Sequence, residues 1–209
     1  LLAQLLQECG LPPGVLNVVT TAHTGEVMEP IIRDPRLRKL TFTGSTGVGQ
    51  KLVEQSAQGL LRLSMELGGN APFLVFEDAD VDAAVNGAML AKMRNIGEAC
   101  TAANRFLVHE SVAAEFSEKF AARMSALTVG DGTQDGIDVG PLVDQKAREG
   151  VDSLVQEAVA GGARVVVGGG PAEGPGWFYQ PTVLTDVPAD ARIAVEEIFG
   201  PVAPISTFR

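Results

Sequence analysis

The segment KLTFTGSTGVGQKLVEQ, residues 39–55, joins a strand pattern to a helix pattern. Its first half predicts a strand that ends at Thr43, a tight turn follows over 44–46, and a helix begins by about Gly47. The first amides of such a helix point past the edge of the sheet, at a place suited to an anionic group such as a pyrophosphate. A strand, a glycine turn and a helix in this order predict the building unit of a parallel α/β fold.

The glycine spacing of this turn leaves two interpretations open. Gly44, Thr46 and Gly49 form the pattern GxTxxG, which differs from the GxGxxG of common dinucleotide-binding turns. Either the turn borders a bound phosphate group, or its glycines only allow the helix and the strand to approach each other closely.

Short β-rich runs alternate with longer helical patterns along the rest of the chain. The predicted strands are 15–19, 39–43, 61–66, 72–76, 106–109, 164–167, 181–185 and 202–208. The clearest predicted helices are 47–58, 81–94, 112–127 and 144–160. Asp78 or Asp80 is expected to cap the second helix, and the glycine-rich run 168–176 is interpreted as a surface turn because no helix follows it. The pattern predicts an α/β fold with a mostly parallel sheet, divided at the Gly68–Gly69 pair.

The composition excludes several classes of protein. The chain has 26 acidic and 16 basic residues, a net charge of -10 and no basic cluster, which argues against a nucleic-acid partner. No apolar run is long enough to cross a bilayer and no signal peptide is recognisable, so we predict a cytoplasmic protein without a membrane partner. Two cysteines and two histidines offer neither a disulfide framework nor a zinc site. Because the chain begins inside a helical pattern and ends inside a predicted strand, we expect a piece of a longer protein.

Cys100 stands among small residues in the segment GEACTAANR, residues 97–105. One interpretation is a buried structural thiol, the common role of a cytosolic cysteine. The other is a nucleophile at or near the start of a short helix, where amide dipoles favour the thiolate and small neighbours leave room for a substrate. For Cys9, in the apolar helix that ends at Gly10, we predict a buried structural role.

Glu66 ends an apolar strand in the segment LSMELGGNAPF, residues 63–73. A carboxylate between Met65 and Leu67 can be a general base, since desolvation raises the pKa of such a group. It can also be an outward-facing strand residue that shares its face with Arg62 as a solvated pair. The sequence supports these two interpretations about equally.

Two further segments carry candidate binding residues. Arg94, in AKMRNIGEAC, either holds a substrate carboxylate in a bidentate pair or caps the end of its helix. In EEIFGPV, residues 196–202, an acid beside an aromatic residue either binds a ribose and shapes a nicotinamide site, or ends a helix and packs Phe199 into the core.

Four segments, taken in order, resemble segments of the aldehyde dehydrogenase superfamily. They are FTGSTGVG, which resembles its cofactor turn, MELGGNAPF its general-base segment, GEACTAANR its nucleophile segment and EEIFGPV its ribose-binding segment. The resemblance covers essentially the whole chain, and the separation of Glu66 from Cys100 is also similar. It implies the second half of a Rossmann-like NAD(P)-binding domain over 1–68 and an α/β catalytic domain over 69–209. Within the superfamily, three segments are most similar to succinate-semialdehyde dehydrogenases: GGNAPF, KMRNIGEACTAANR and VGDGTQDGIDVGPLVD.

This resemblance implies a role for each candidate residue. The Cys100 thiolate would attack the aldehyde, its backbone N–H and an asparagine from an upstream segment would hold the oxyanion, and Glu66 would activate water to hydrolyse the thioester. Arg94 would clamp the far carboxylate of the substrate. The cofactor, NAD or NADP, would contact Gly44, Ser45, Gly49, Leu67, Glu197 and Phe199.

The resemblance also implies limits. Full-length members add earlier Rossmann strands, the oxyanion asparagine and a C-terminal oligomerisation strand, so we expect the 209-residue chain by itself to be inactive or nearly so, and the full-length protein to be a homodimer or homotetramer. Ala102 stands where some members have a second cysteine, which excludes a local disulfide switch. Two alternatives stay open: a fold-retaining fragment or binding module without catalysis, and a dehydrogenase for a different aldehyde.

Overall fold

The computed structural model describes residues 1–209, which divide into two compact units. The first unit is Leu1–Leu67 and the second is Gly68–Arg209. The assignment of a cofactor-binding role to the first and a catalytic role to the second stays a prediction from the sequence.

The first unit consists of three helices and a two-stranded sheet. Its elements are α1 (Leu2–Glu8), α2 (Thr24–Ile32), β1 (Lys39–Gly44), α3 (Thr46–Ser56) and β2 (Arg62–Leu67). The two strands are parallel, with Thr43 opposite Glu66 and Gly44 opposite Leu67. Only Ser45 separates β1 from α3, so the strand, turn and helix predicted from the sequence are confirmed.

The strand predicted at 15–19 is wrong. Val15, Val18 and Val19 lie in irregular chain and are exposed. A strand needs a neighbour that takes up its backbone hydrogen bonds, and the sheet of this unit contains β1 and β2 alone. The β-branched pattern by itself therefore produces no strand here.

The second unit is built on a five-stranded sheet with the order β3-β4-β7-β6-β5. Its strands are β3 (Ala71–Val75), β4 (Ala103–His109), β5 (Arg164–Val167), β6 (Thr182–Thr185) and β7 (Val202–Phe208). Every neighbouring pair is parallel except β5 and β6. The predicted α/β fold with a mostly parallel sheet is confirmed.

Four helices accompany this sheet. They are α4 (Val81–Met93), α5 (Ala113–Ser125), α6 (Gln145–Ala160) and α7 (Arg192–Val195). Asp80 caps α4 by accepting a hydrogen bond from Ala83 N at 3.0 Å, so of the two predicted caps it is Asp80 that acts. Asp144 caps α6 in the same way, at 2.7 Å from Ala147 N. No helix has both the length and the apolar character that a membrane span requires.

Two clusters of buried apolar side chains hold the second unit together. One includes Phe106, whose ring centroid lies 5.5 Å from that of Phe73 and 5.2 Å from that of Phe120. The other packs α6 against β6 and β7. The first residues of two strands, Ala103 in β4 and Val202 in β7, belong to these clusters. The segments 94–102 and 196–201 lead into these strands. Each is therefore anchored at its C-terminal end by a residue of a core cluster.

The glycine-rich run 168–176 forms a largely exposed loop, as predicted. Its far end is held by α6, because Arg148 donates a hydrogen bond to Gly176 O at 3.1 Å and its guanidinium lies 5.0 Å from the ring centroid of Trp177. The loop thus packs on a helix and offers no helix N-terminus of its own.

Candidate active site

Cys100 lies in a turn between α4 and β4. A hydrogen bond of 3.0 Å from Ala102 N to Ala99 O closes the turn. The cysteine is exposed, so its interpretation as a buried structural thiol is wrong. The backbone N–H of Cys100 donates no hydrogen bond within the chain and is therefore available to an oxyanion formed beside the sulfur.

The short helix expected at Cys100 does not form. After α4, the residues Asn95, Ile96 and Gly97 adopt left-handed backbone conformations, with φ of 52°, 51° and 82°. They reverse the chain, which leaves only a short turn before β4 begins at Ala103. The thiol consequently lacks the helix N-terminus that the sequence led us to expect.

Arg94 lies at the end of α4 with its side chain exposed and without a hydrogen bond or an ion pair. The expected alternative, a guanidinium that caps the helix carbonyls, is therefore not formed. Arg94 shares a small cleft with three residues of the turn at Cys100: Ala99, Thr101 and Ala102. This arrangement suits a small substrate that carries an anionic group.

Two glycines pack between the carboxylate of Glu197 and the turn at Cys100. Gly69 N donates a hydrogen bond of 3.2 Å to Glu197 Oε1. A side chain on Gly68 would collide with the same carboxylate, and a Cβ on Gly69 would lie 3.2 Å from the carbonyl oxygen of Cys100. The glycine pair is required because the chain passes closely between the two segments that carry these groups.

The side chains of the segment 196–201 separate into a buried anchor and exposed neighbours. Ile198 is fully buried, Glu197 is half-buried and Phe199 is 44% exposed. Packing of Phe199 into the core, one of the two interpretations from the sequence, is wrong. Glu196 forms an ion pair with Arg192 at 2.8 Å. Ile198 thus fixes the segment while Glu197 and Phe199 remain accessible to a ligand.

Lys92 is a buried charge beside this site that the sequence motifs do not single out. Its side chain is 0% exposed, and its Nζ donates a hydrogen bond of 2.8 Å to Asn104 Oδ1. Burial lowers the pKa of Lys92 to about 7, while the charge of Glu197 acts in the opposite direction. A signal exists in the spacing of α4, since Lys92 shares the buried helix face with Val85 and Ala88.

Glu66 lies in β2 of the first unit and is exposed. Arg62, on the same face of the strand, forms no ion pair with it, so the solvated pair considered from the sequence is absent. An exposed carboxylate can reach a water molecule, as a general base must. Its catalytic role stays a prediction.

In the glycine turn of the first unit, some residues are buried by packing and others are exposed. Gly49 is buried, and a Cβ there would lie 2.6 Å from Cδ2 of Leu67. Gly44 and Ser45 are exposed, and the Ser45 side chain makes no capping hydrogen bond at the start of α3. Close packing of helix and strand thus explains Gly49 and Leu67 and leaves Gly44 and Ser45 accessible.

Cys9 is exposed, and α1 buries none of its residues. The predicted buried role of this cysteine is wrong, because the apolar face of α1 has no partner within 1–67 that covers it.

Comparison with known proteins gives a consistent result over the whole chain. The sequence profile of the aldehyde dehydrogenase family matches residues 1–209. A succinate-semialdehyde dehydrogenase of Paenarthrobacter nicotinovorans is 60% identical over 208 residues, which are 100% of this chain and 46% of that protein. A glutarate-semialdehyde dehydrogenase of Pseudomonas aeruginosa is 46% identical over 208 residues, 100% of this chain and 43% of that protein.

A solved structure agrees with these relatives. The crystal structure of an NADP dependent enzyme of E. coli matches with a TM-score of 0.96 at 48% identity, and the match covers 100% of this chain and 43% of that one. The chain spans less than half the length of the curated relatives it matches.

Proposed function

The chain belongs to the aldehyde dehydrogenase family, and on that premise we propose that the protein oxidises an aldehyde to the carboxylic acid with NAD or NADP as cofactor. The observation that carries the proposal is the accessible thiol of Cys100, in a turn whose own amide is unpaired. We propose succinate semialdehyde as the substrate, because Arg94 places an unpaired cation in the cleft beside that turn and because a 60% identical relative is named for this aldehyde.

The first step is covalent. The thiolate of Cys100 attacks the aldehyde carbon, a carbon–sulfur bond forms, and the carbonyl oxygen becomes an oxyanion that the Cys100 N–H stabilises. Removal of one such donor costs about 10²- to 10³-fold in rate in enzymes of acyl transfer. The unpaired Cys100 amide is therefore as relevant to the mechanism as the thiol.

The second step is hydrolysis. Bound NAD or NADP supplies the acceptor for the hydride of the former aldehyde carbon, which leaves a thioester on Cys100. Glu66 takes a proton from a water molecule while the water oxygen attacks the thioester carbon. The carbon–sulfur bond then breaks, which releases the carboxylic acid and restores the thiolate.

The residues present fit a dinucleotide cofactor. Gly44 and Ser45 lie exposed at the N-terminus of α3, whose first amides lack intrahelical acceptors and suit a pyrophosphate. Glu197 offers a half-buried carboxylate for ribose hydroxyls, and Phe199 offers an exposed ring beside it. In this proposal 1–67 binds the cofactor and 68–209 carries the nucleophile and the substrate clamp.

The length of the relatives bears on what the chain does alone. Because it matches less than half of each, we propose that the 209 residues by themselves have little or no turnover. From the family resemblance we also propose that the full-length protein is a homodimer or homotetramer. A steady-state assay that gives full NAD(P)+-dependent turnover with the 209-residue chain would overturn the first part.

The substrate proposal is tested in the full-length protein with Arg94→Leu. The control substrate is butanal, which has the same chain length as succinate semialdehyde and no carboxylate. We expect KM for succinate semialdehyde to rise about ten- to a hundredfold, as for a lost charged hydrogen bond, and KM for butanal to stay the same. An unchanged KM for succinate semialdehyde rejects the clamp and favours a different aldehyde; no turnover of either aldehyde by the unaltered protein favours a non-catalytic role.

A further inference from the structure

Lys92 and Asn104 lie on either side of the loop 94–102, which carries both Arg94 and Cys100. The two residues lie twelve positions apart and are linked by the hydrogen bond of 2.8 Å between Lys92 Nζ and Asn104 Oδ1. Lys92 belongs to the last turn of α4 and Asn104 is the second residue of β4. Both are almost completely buried, with 0% and 1% exposure. We call this pair the Lys92–Asn104 clasp.

The middle of the loop packs on the same lysine. Gly97, with φ of 82°, lies so close that a Cβ there would be 3.1 Å from Lys92 Cε and would collide with the carbonyl oxygen of Gly200. Gly97 is thus held between the lysine stem and the segment 196–201, which carries Glu197. A displacement of the lysine side chain would therefore disturb both segments.

The polar atoms of the clasp exceed what packing alone requires. The Lys92 ammonium has a single hydrogen-bond partner, and Asn104 Nδ2 has none although it is buried. A methionine would fill much the same volume without the cost of removing a charge from water. A buried donor that is hydrogen-bonded to the start of β4 therefore points to a role in fixing the segment between them.

We infer that Lys92 is a positioning residue, whose hydrogen bond to Asn104 fixes the ends of the loop 94–102 and thereby sets the place of Cys100 and Arg94 relative to Glu197. Lys92 acts through these residues and is not itself assigned a contact with substrate or cofactor. The consequence for catalysis rests on the proposed function, whereas the consequence for the loop does not.

Hydrogen exchange of the full-length protein, followed by mass spectrometry of peptides, tests the loop directly. Lys92→Met removes the donor and leaves an unbranched side chain one atom shorter, while Lys92→Gln has that same length and carries an N–H donor. Lys119→Met is the matched control, because Lys119 lies on α5 and pairs with Asp82 and Glu115 at the surface. We expect exchange over 94–102 to rise about ten- to a hundredfold in Lys92→Met, to return toward the original rate in Lys92→Gln, and to be unchanged in Lys119→Met.

Kinetics separate positioning from a general loss of stability. In Lys92→Met we expect kcat/KM for succinate semialdehyde to fall by about a hundredfold, and we expect Lys92→Gln to recover most of the loss. If activity is absent but exchange changes as stated, the proposed function fails and the positioning role stands.

Two results overturn the inference. One is unchanged exchange over 94–102 in Lys92→Met; the other is a rise spread equally over β5, β6 and the loop, which indicates global destabilisation. If Lys92→Met does not fold, Asn104→Ser takes its place, since serine is too short to accept from Nζ and leaves the lysine intact. The same local rise in exchange is then expected, and its absence rejects the clasp.

Discussion

Gly68–Arg209 buries its apolar side chains in two clusters around a five-stranded sheet, whereas Leu1–Leu67 buries only Ile32 and Leu40 among its large apolar side chains, beside a two-stranded sheet. Two strands alone are marginally stable in water, and three or more with an apolar face, or packing against a helix, are needed for independent stability. Cys100 and Arg94 therefore stand on a unit with its own core. Glu66 and the glycine turn stand on a unit that leaves Leu60 90% exposed.

The largest expected effect separates the chemistry assigned to the two units. In the full-length protein, Cys100→Ser should reduce kcat by at least about 10⁴-fold, because no covalent adduct forms. Glu66→Gln should slow only thioester hydrolysis, by about 10²- to 10⁴-fold. Stopped-flow absorbance should then show a burst of NAD(P)H with Glu66→Gln and none with Cys100→Ser. A burst from Cys100→Ser would show that the nucleophile lies elsewhere.

The difference in packing predicts a difference in mutational cost. Phe106→Ala should destabilise the second unit by about 3 to 5 kcal/mol, since its ring is fully buried between two others. Leu63→Ala in β2, where the side chain is 36% exposed, should cost less than about 1 kcal/mol. Urea unfolding followed by far-UV circular dichroism measures both changes, because both units contain helices. Equal midpoint shifts from both substitutions would contradict the comparison.

The buried amine of Lys92 gives the second unit a pH dependence of its own. Below pH 7 the amine is protonated whether the chain is folded or unfolded, and the folded state bears the cost of the buried charge. Between its lowered pKa of about 7 and the ordinary value of 10.5, the folded protein holds a neutral amine while the unfolded chain still binds the proton. The free energy of unfolding should therefore rise with pH, by about 3 kcal/mol from pH 7 to about pH 9.5.

The matched measurement is urea unfolding at the same two pH values, carried out on both the unaltered protein and Lys92→Met. Without the amine, the rise between the two pH values should shrink by about 3 kcal/mol, and all other titrating groups cancel in the difference. An identical rise in both proteins would show that the ammonium of Lys92 is not buried at a cost.

The smallest effect is the loss of stability when the N-cap side chain of one helix in each unit is removed. Asp144→Ala should cost the second unit about 1 kcal/mol, because its carboxylate accepts from Ala147 N. Ser45→Ala should cost less than about 0.5 kcal/mol, since the Ser45 side chain makes no capping hydrogen bond. Thermal unfolding by circular dichroism measures both changes. A larger loss from Ser45→Ala would mean that the start of α3 depends on its serine.

The elements most accurately predicted from the sequence are those whose pattern is local. β5 and β7 form over the predicted residues 164–167 and 202–208, and the Asp144 cap and the core spacing of α6 define that helix. The strand predicted at 15–19 has the same local pattern and does not form, because a strand depends on partners that a local pattern does not reveal.

The candidate site shows the same division. The segments that carry Cys100, Arg94 and Glu197 could be identified from their motifs and the resemblance. The turn at Cys100 could not, because it depends on left-handed conformations at Asn95 and at Ile96, and a β-branched residue such as Ile96 rarely adopts one. The clasp could not either, since its partners meet only when the end of α4 and the start of β4 are packed together.

The most direct test of Cys100 as the nucleophile is the mass of the peptides that contain the two cysteines in the full-length protein carrying Glu66→Gln. The variant is mixed with succinate semialdehyde and NAD(P)+, quenched in acid within the burst and digested. We expect one added succinyl group on the peptide with Cys100 and none on the peptide with Cys9. An unmodified Cys100 after a burst, or equal modification of both cysteines, would contradict the assignment of Cys100 as the nucleophile.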